Sequence, residues 1–425
     1  MFSSLNFGTC IKPGGRLAVR ALLAAIDAGI GKGITSLFPI AIFKLKDGVN
    51  YRNGDPNYDL RLLSEKVTAR RLFPNYSNID APYNLKYYKA GHPETEVAYM
   101  GCRTRVLANV NGPEIVTERG NLSFTTINLP RLAIEASKEA IDSSLIEGVF
   151  FEKLDKYLDM AKRQMEHRYE IQCKRKVYNF PYVMKQGAYL GSEYLQDGDE
   201  VRKALENGTL SFGFVGLAEC LKALTGHDHS EGPEYQELGI KIVKHMRDYA
   251  DKLTKDTHMN WTLIATPAES VAGAMLRKDL KEFGVIPGVT DKEWYTNSFH
   301  VPVERKVTAS EKVRLEAPYH ALTNAGHISY VELEGDPTQN LDALHTLINV
   351  MHDAGMGYFS FNAKMDCDPS CGYVGVLDAV CPNCGRRETE DAPFVRPRRI
   401  TGYISYTDRF NSAKAAELKA RVTHV

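Results

Sequence analysis

The sequence lacks an excess of charge of either sign: 53 lysines and arginines stand against 53 aspartates and glutamates over 425 residues. That balance removes any general electrostatic pull toward nucleic acid or an anionic membrane. Apolar runs long enough to span a bilayer are missing as well. The most apolar early stretch, around Leu22 to Ile30, is interrupted by Asp27, and Ile34 to Phe43 is short and contains Pro39. No secretory signal is read in it, so a cytoplasmic protein with no membrane partner is expected. Nor is there a disulfide pattern: of eight cysteines, four are scattered and four cluster late in the chain, which suits reduced thiols. Internal repeats, low-complexity tracts and linkers longer than a few residues before about Gly355 are also absent, so the body reads as one α/β unit.

What is present alternates between helical and extended patterns. Residues 2–7 alternate like a strand. Gly14-Gly15 leads into an apolar-periodic helix closed by Gly29, Leu37 to Leu45 reads as a strand, and Tyr58 to Phe73 as a helix. Ala98 to Val110 and Leu122 to Ile127 read as extended, and Pro130 opens a helix at its first turn, where a missing N–H costs nothing. Phe150, Leu154, Leu158, Ala161 and Met165 keep helical spacing. Further helices are expected over Gly213 to Leu224, Glu234 to Thr254 and Asn340 to Asp353, followed by short strands at Tyr358 to Asn362 and Tyr373 to Leu377.

Two pieces of chemistry lie side by side near the C-terminus. Cys367, Cys371, Cys381 and Cys384 form two short-spaced pairs, and the second, Cys-Pro-Asn-Cys-Gly, has the form of a zinc-ribbon knuckle. Four thiolates suit tetrahedral Zn²⁺ and leave no open position for a catalytic water, so a structural ion is expected, clamping the strands that carry the tail. An iron–sulfur cluster is the other metal reading. The tail itself contains Arg399-Ile400-Thr401-Gly402-Tyr403. A glycine between polar residues is ordinarily a turn residue of positive φ. Gly402 has a second reading: with no side chain, its α-carbon can hold a planar radical stabilised by the flanking amides.

At this point the chain resembles the anaerobic, glycyl-radical class of ribonucleotide reductases. The resemblance runs through Phe2-Ser3-Ser4-Leu5-Asn6, Ala81-Pro82-Tyr83-Asn84, Ala98-Tyr99-Met100-Gly101-Cys102-Arg103-Thr104-Arg105, Arg119-Gly120-Asn121-Leu122-Ser123-Phe124, Gly213 to Gly226, Thr266-Pro267-Ala268-Glu269-Ser270 and Asn297-Ser298-Phe299-His300-Val301-Pro302. It implies a ten-stranded α/β barrel, here without its N-terminal strands, with a finger loop near 98–106. Residues 1–355 would form the partial catalytic barrel, 356–390 the zinc ribbon and 391–425 the glycyl-radical segment. Gly402 would store the radical, and Cys102 would carry the transient thiyl that abstracts the ribose 3′ hydrogen. Read alone, Cys102 is a small buried hydrophobe, and it is the Met100-Gly101-Cys102-Arg103-Thr104-Arg105 match that reverses this reading. Asn121 would face the ribose hydroxyls.

Thr266, Ala268, Glu269 and Ser270 precede a helix beginning near Val271, where backbone N–H groups and the helix dipole favour an anion, and by resemblance they bind substrate phosphates. A plain helix cap is the other reading. Asn297, Ser298 and His300 would line the substrate or reductant side, whereas His258, His320 and His345 lack metal spacing. The implied reaction replaces the 2′ hydroxyl of a ribonucleoside triphosphate with hydrogen for DNA-precursor synthesis. A separate iron–sulfur, S-adenosylmethionine-dependent activase would generate the radical. Formate would be the reductant, a branch that Arg103 after Cys102 favours.

The resemblance also implies segments ahead of Phe2 that this sequence does not contain: a nucleotide-effector cone, early strands and a second active-site cysteine. Cys10, Cys173 and Cys220 do not sit in that cysteine's motif. A fragment, or a split-gene product inactive without an N-terminal partner chain, is therefore an alternative, as is a zinc-ribbon protein binding nucleic acid through Arg386, Arg387, Arg396, Arg398 and Arg399. A homodimer is expected from the family.

Overall fold

A computed structural model describes residues 3–400 and 402–424, so Phe2 of the opening strand and Thr401 of the tail lie outside the described residues. Strands β1 (Ser4–Phe7), β2 (Ile40–Leu45) and β3 (Asn75–Asn78) run parallel to one another. The two-residue strands β4 (Tyr99–Met100) and β5 (Thr104–Arg105) form a hairpin. A second parallel sheet follows from β6 (Asn121–Asn128), β7 (Thr209–Val215) and β8 (Asn260–Ala265). Then β9 (Ser329–Glu332) and β10 (Tyr358–Asn362) return to the first sheet, whose order is β1-β2-β3-β10-β9 with β10 antiparallel to β3. Two antiparallel hairpins finish the chain: β11 (Asp366–Asp368) with β12 (Tyr373–Gly375), and β13 (Pro397–Arg399) with β14 (Ile404–Tyr406).

Period-two alternation decides which face of each sheet is covered. In β7, Leu210, Phe212 and Phe214 enter a core shared with Leu132, Phe150, Leu154 and Met246 of the covering helices. Each such side chain contributes roughly 1.5–3 kcal/mol on burial. Thr209, Ser211 and Gly213 alternate with them and line the opposite face. The first sheet behaves alike: Phe43, Tyr76, Phe359 and Phe361 pack under helices Tyr58–Arg71 and Leu341–Asp353, and Asn75, Ser77, Tyr358 and Ser360 take the other face. The second sheet therefore has an apolar side under helices and a polar side left for chemistry, whereas the other face of the first sheet also carries Ile40 and Ile42, which pack with Tyr99 of the β4–β5 hairpin and Ile404 of the β13–β14 hairpin.

The expected helix over Gly213 to Leu224 is corrected. Residues through Val215 are strand, Gly216 turns the chain at φ +76°, and the helix is Leu217–Thr225. The alternation of Leu210, Phe212 and Phe214 outweighs the helical spacing that continues it. Ten barrel strands are not seen either: among the described residues the two larger sheets hold eight, five and three. The sheets approach at Gly326, which bridges both Thr104 and Ile264. Gly326 has φ +144°, and a β-carbon added there would stand 2.8 Å from the carbonyl carbon of Arg103, so only glycine lets the β4–β5 hairpin pass this close. No helix among the described residues is long and apolar enough to cross a membrane.

Candidate active site

Cys102 occupies the turn of the β4–β5 hairpin, which both sheets hold. The Asn6 side chain donates to the Tyr99 carbonyl at 2.9 Å and accepts from the Tyr99 N–H at 3.0 Å. The Gly101 N–H donates to Ser4 Oγ at 2.9 Å, and the Arg105 N–H to the Ala325 carbonyl at 2.8 Å. Buried Arg103 donates to the Ala265 carbonyl at the end of β8, 3.1 Å away, and reaches Ser298 Oγ at 3.4 Å. Burial pushes the Cys102 thiol above its usual value despite the opposing pull of Arg103. The sulfur thus keeps its hydrogen at neutral pH.

Gly402 stands against the backbone and Cβ of Cys102. It lies in the turn of the β13–β14 hairpin, buried, with φ +149°. A β-carbon added to it would sit 3.0 Å from Cys102 Cβ and closer still to the Cys102 carbonyl oxygen. Arg399 anchors the turn by donating to the carbonyls of Phe361 at 2.7 Å, of Leu72, and of Gly402 at 3.4 Å. Asn75 donates to the same Gly402 carbonyl at 3.4 Å and to Tyr358 Oη at 2.6 Å. Burial lowers Arg399 to about 10, which leaves it charged at neutral pH. The Tyr403 ring packs 6.2 Å from that of Phe38.

The polar face of the second sheet supplies hydrogen-bonding groups next to the hairpin. Asn121, at the start of β6, donates to Thr209 Oγ1 at 3.0 Å and to Ser211 Oγ, and Ser211 meets Thr262 at 2.8 Å. Thr126 and Thr266 pair at 3.0 Å. Residues 266–270 lead directly into helix Ser270–Phe283, which has no side-chain cap on its first turn. One amide of this loop is already used, because the Ala268 N–H donates to Asn297 Oδ1 at 2.8 Å. Ser298 adopts φ +44°, an uncommon conformation for a side-chain-bearing residue, and its carbonyl accepts from the Leu217 N–H at 3.2 Å. Asn297, Ser298, Arg103 and the 266–270 loop are therefore tied together. His300 turns aside toward Glu316.

Glu316 was not legible from sequence. It accepts from the Val301 N–H at 3.0 Å, Ser329 Oγ at 2.6 Å, Lys312 Nζ at 2.5 Å and His300 Nδ1 at 3.3 Å, all buried. Burial alone would raise its carboxyl, but Lys312 and His300 outweigh that and hold it well below its usual value. His320, whose Nε2 contacts Ser329 Oγ at 2.9 Å, is pushed down to about 3 by burial and stays neutral. Removing the carboxylate strands a buried ammonium, so Glu316→Ala is expected to destabilise the chain by roughly 3–5 kcal/mol in denaturant titrations. Because its folded pKa is depressed, the carboxylate contributes stability above its unfolded value near 4.5. That contribution is lost as pH falls through the folded value. Wild type should accordingly lose stability relative to Glu316→Gln on acidification below that point.

Near the C-terminus the structure brings together three of the four expected metal ligands. Cys371, Cys381 and Cys384 meet with Asp368, each offering one ligand atom within 4.8 Å of the others. The Cys371 and Cys381 sulfurs are 3.7 Å apart, close to the ~3.8 Å edge of a tetrahedron built on Zn–S bonds of about 2.3 Å. The donor set therefore fits zinc. Cys367 is not in the group; its sulfur faces the Gly33 carbonyl at 3.7 Å. All eight cysteines are free, with Cys173 and Cys220 buried in the helical core and Cys10 exposed. Among the local arginines, Arg386 is bound to Asp368, Arg398 to Asp366, and Arg396 to Asp366 and Glu388.

Known proteins resemble this chain in sequence and in fold. The family model described as anaerobic ribonucleoside-triphosphate reductase matches residues 1–424. The chain is 33% identical over 437 residues to the anaerobic ribonucleoside-triphosphate reductase of Escherichia coli, covering 100% of this chain and 59% of that protein. It thus spans less than two thirds of that curated relative. Among solved structures, an anaerobic ribonucleotide reductase superposes with a TM-score of 0.67 at 19% identity, over 91% of this chain and 55% of the other. The Thermotoga maritima anaerobic ribonucleotide reductase in complex with dATP and CTP gives 0.65 at 17% identity, over 98% and 65%. The fold is shared with both.

Proposed function

The chain belongs to the anaerobic ribonucleoside-triphosphate reductase family, and from that premise we propose that it forms the radical-bearing catalytic part of such an enzyme. The observation that carries the reading is the packing of the Gly402 backbone directly on Cys102. An S-adenosylmethionine-dependent activase removes one hydrogen atom from Gly402, and the resulting carbon radical takes the hydrogen of the Cys102 thiol, re-forming the glycine C–H bond. The sulfur radical then abstracts the ribose 3′ hydrogen. The 2′ hydroxyl takes a proton from solvent and leaves as water, and formate gives up its hydrogen together with two electrons to the 2′ carbon, forming the new C–H bond and becoming carbon dioxide. At the end the 3′ hydrogen returns from Cys102.

Positioning is the chain's main contribution. Asn121 offers both donor and acceptor capacity for the ribose hydroxyls. The amides that open helix Ser270–Phe283, with the Thr266 to Ser270 loop, face the substrate phosphates. Asn297 and Ser298 link that loop to Arg103, so phosphate binding and placement of the thiol are mechanically joined. His300 acts from behind them. Asp368, Cys371, Cys381 and Cys384 would hold a zinc ion, which would cross-link the β11–β12 hairpin to the Cys381–Cys384 knuckle. Nucleotide effectors and a homodimer belong to the same reading of the whole protein.

Anaerobic incubation with the activase and S-adenosylmethionine should give an electron paramagnetic resonance doublet. Added ribonucleoside triphosphate and formate should then yield deoxyribonucleotide and carbon dioxide in equal amounts. A parallel arm adds a polypeptide covering the part of the relatives that this chain does not span. No doublet in either arm would overturn the reading.

A further inference from the structure

We propose that the metal in the C-terminal cluster is held by one carboxylate and three thiolates, Asp368, Cys371, Cys381 and Cys384, with Cys367 outside the ligand set and Arg386 positioning the carboxylate. The inference rests on the structural-zinc reading above and replaces the four-cysteine ligand set expected from sequence.

Strand geometry excludes having both candidates. Cys367 and Asp368 are consecutive on β11, so their side chains leave opposite faces. The side that faces the other cysteines belongs to Asp368. Turning Cys367 inward would require shifting β11 by one residue. That shift would break its register of Cys367 with Val374 and Asp368 with Tyr373, and the two 2.9 Å main-chain bonds between Cys367 and Val395.

The carboxylate is oriented for one metal bond. Oδ1 accepts from the Ser370 N–H at 2.9 Å and Arg386 Nη2 at 2.7 Å, which fixes the plane of the group. Oδ2 accepts from Arg386 Nε at 3.1 Å and lies 3.3 Å from Cys384 Sγ. A tetrahedral edge between oxygen and sulfur, with metal bonds of about 2.1 and 2.3 Å, is ~3.6 Å, so Oδ2 stands close to a coordinating position. Spacing agrees, because Asp368 precedes Cys371 by two intervening residues, as Cys381 precedes Cys384. Zn²⁺ with three thiolates and one carboxylate carries a net charge of −2, and Arg386 offsets one unit. Its guanidinium is itself fixed, lying over the Phe394 ring at 4.5 Å and donating to the Ala392 carbonyl at 2.6 Å. Such outer contacts orient ligands and tune affinity.

Zinc X-ray absorption on the unmutated full chain, kept anaerobic, tests the ligand set directly. The expected fit is three sulfurs near 2.3 Å and one oxygen near 2.0–2.2 Å; four sulfurs would overturn the proposal. Zinc retention against a chromogenic chelator gives the second readout. Cys367→Ala should retain zinc as wild type does, Asp368→Ala should lose it, and Arg386→Ala should weaken it by about 10- to 100-fold. Asp368→Cys should restore binding and, with Co²⁺, raise the sulfur-to-cobalt charge-transfer intensity by about a third as thiolates go from three to four. Loss of zinc in Cys367→Ala with retention in Asp368→Ala would overturn the assignment. A wild-type chain that holds no metal would instead overturn the structural-zinc reading beneath it.

Discussion

Gly402→Ala should yield a folded chain that cannot be activated, with no radical doublet after activase treatment and deoxyribonucleotide formation lowered about 10³-fold or more, the scale of losing an essential reacting group. Two effects add. The added methyl would lie 3.0 Å from Cys102 Cβ and nearer its carbonyl, and φ +149° is a conformation that side-chain-bearing residues rarely adopt, a strain of order 1–3 kcal/mol. A tertiary α-carbon also loses the planarity that stabilises the radical. Zinc content should change little, because the cluster at Cys371, Cys381 and Cys384 lies outside this turn, while the strain lowers the thermal midpoint by a few degrees. A doublet that survives the substitution would place the radical elsewhere.

Cys102→Ser is expected to separate storage from use. The hydroxyl occupies nearly the same volume, so the hairpin, held through Asn6, Ser4 and Ala325, should keep its place. An O–H bond is too strong to surrender hydrogen to a carbon radical. Activase treatment should therefore still give the Gly402 doublet at wild-type intensity, while product formation again falls by about 10³-fold or more. Turnover that persists would remove Cys102 from the reaction. The pH dependence has a definite sign. Burial raises the thiol above its usual value of 9.0, and only the protonated form carries a transferable hydrogen. With respect to this group, turnover should be flat through neutrality and decline only on the alkaline side of the usual value.

Much of the site was legible because its chemistry is written in short runs. Met100 to Arg105 forms a tight hairpin whose turn residue is the cysteine, and the Arg399 to Tyr403 turn falls where its glycine is required. Helix ends were legible at Gly29 and Pro130 for the same local reason. The helix over Gly213 to Leu224 was misread because Phe212, Phe214 and Leu217 satisfy strand and helix spacing together, and only pairing with β6 and β8 decides between them. The metal ligands show the limit of spacing alone. Cys367 was favoured as a cysteine, although the two-residue interval from Asp368 to Cys371, repeated at Cys381 to Cys384, was present in the sequence. Glu316, Lys312 and Asn75 gave no signal, because what makes them matter is burial beside residues distant in the chain.

The anchoring of Gly402 has a kinetic consequence. An activase can take hydrogen only from a carbon it can touch, and this one is covered by Cys102 and fastened through Arg399 and Asn75. On the proposed function, loading Gly402 requires the β13–β14 hairpin to move off Cys102, and its rate should scale with the fraction of molecules in which it has done so. On the same reading these bonds, re-formed afterwards, should set how long the loaded chain survives a trace of oxygen. Loosening Arg399 would speed activation and shorten the lifetime of what it produces.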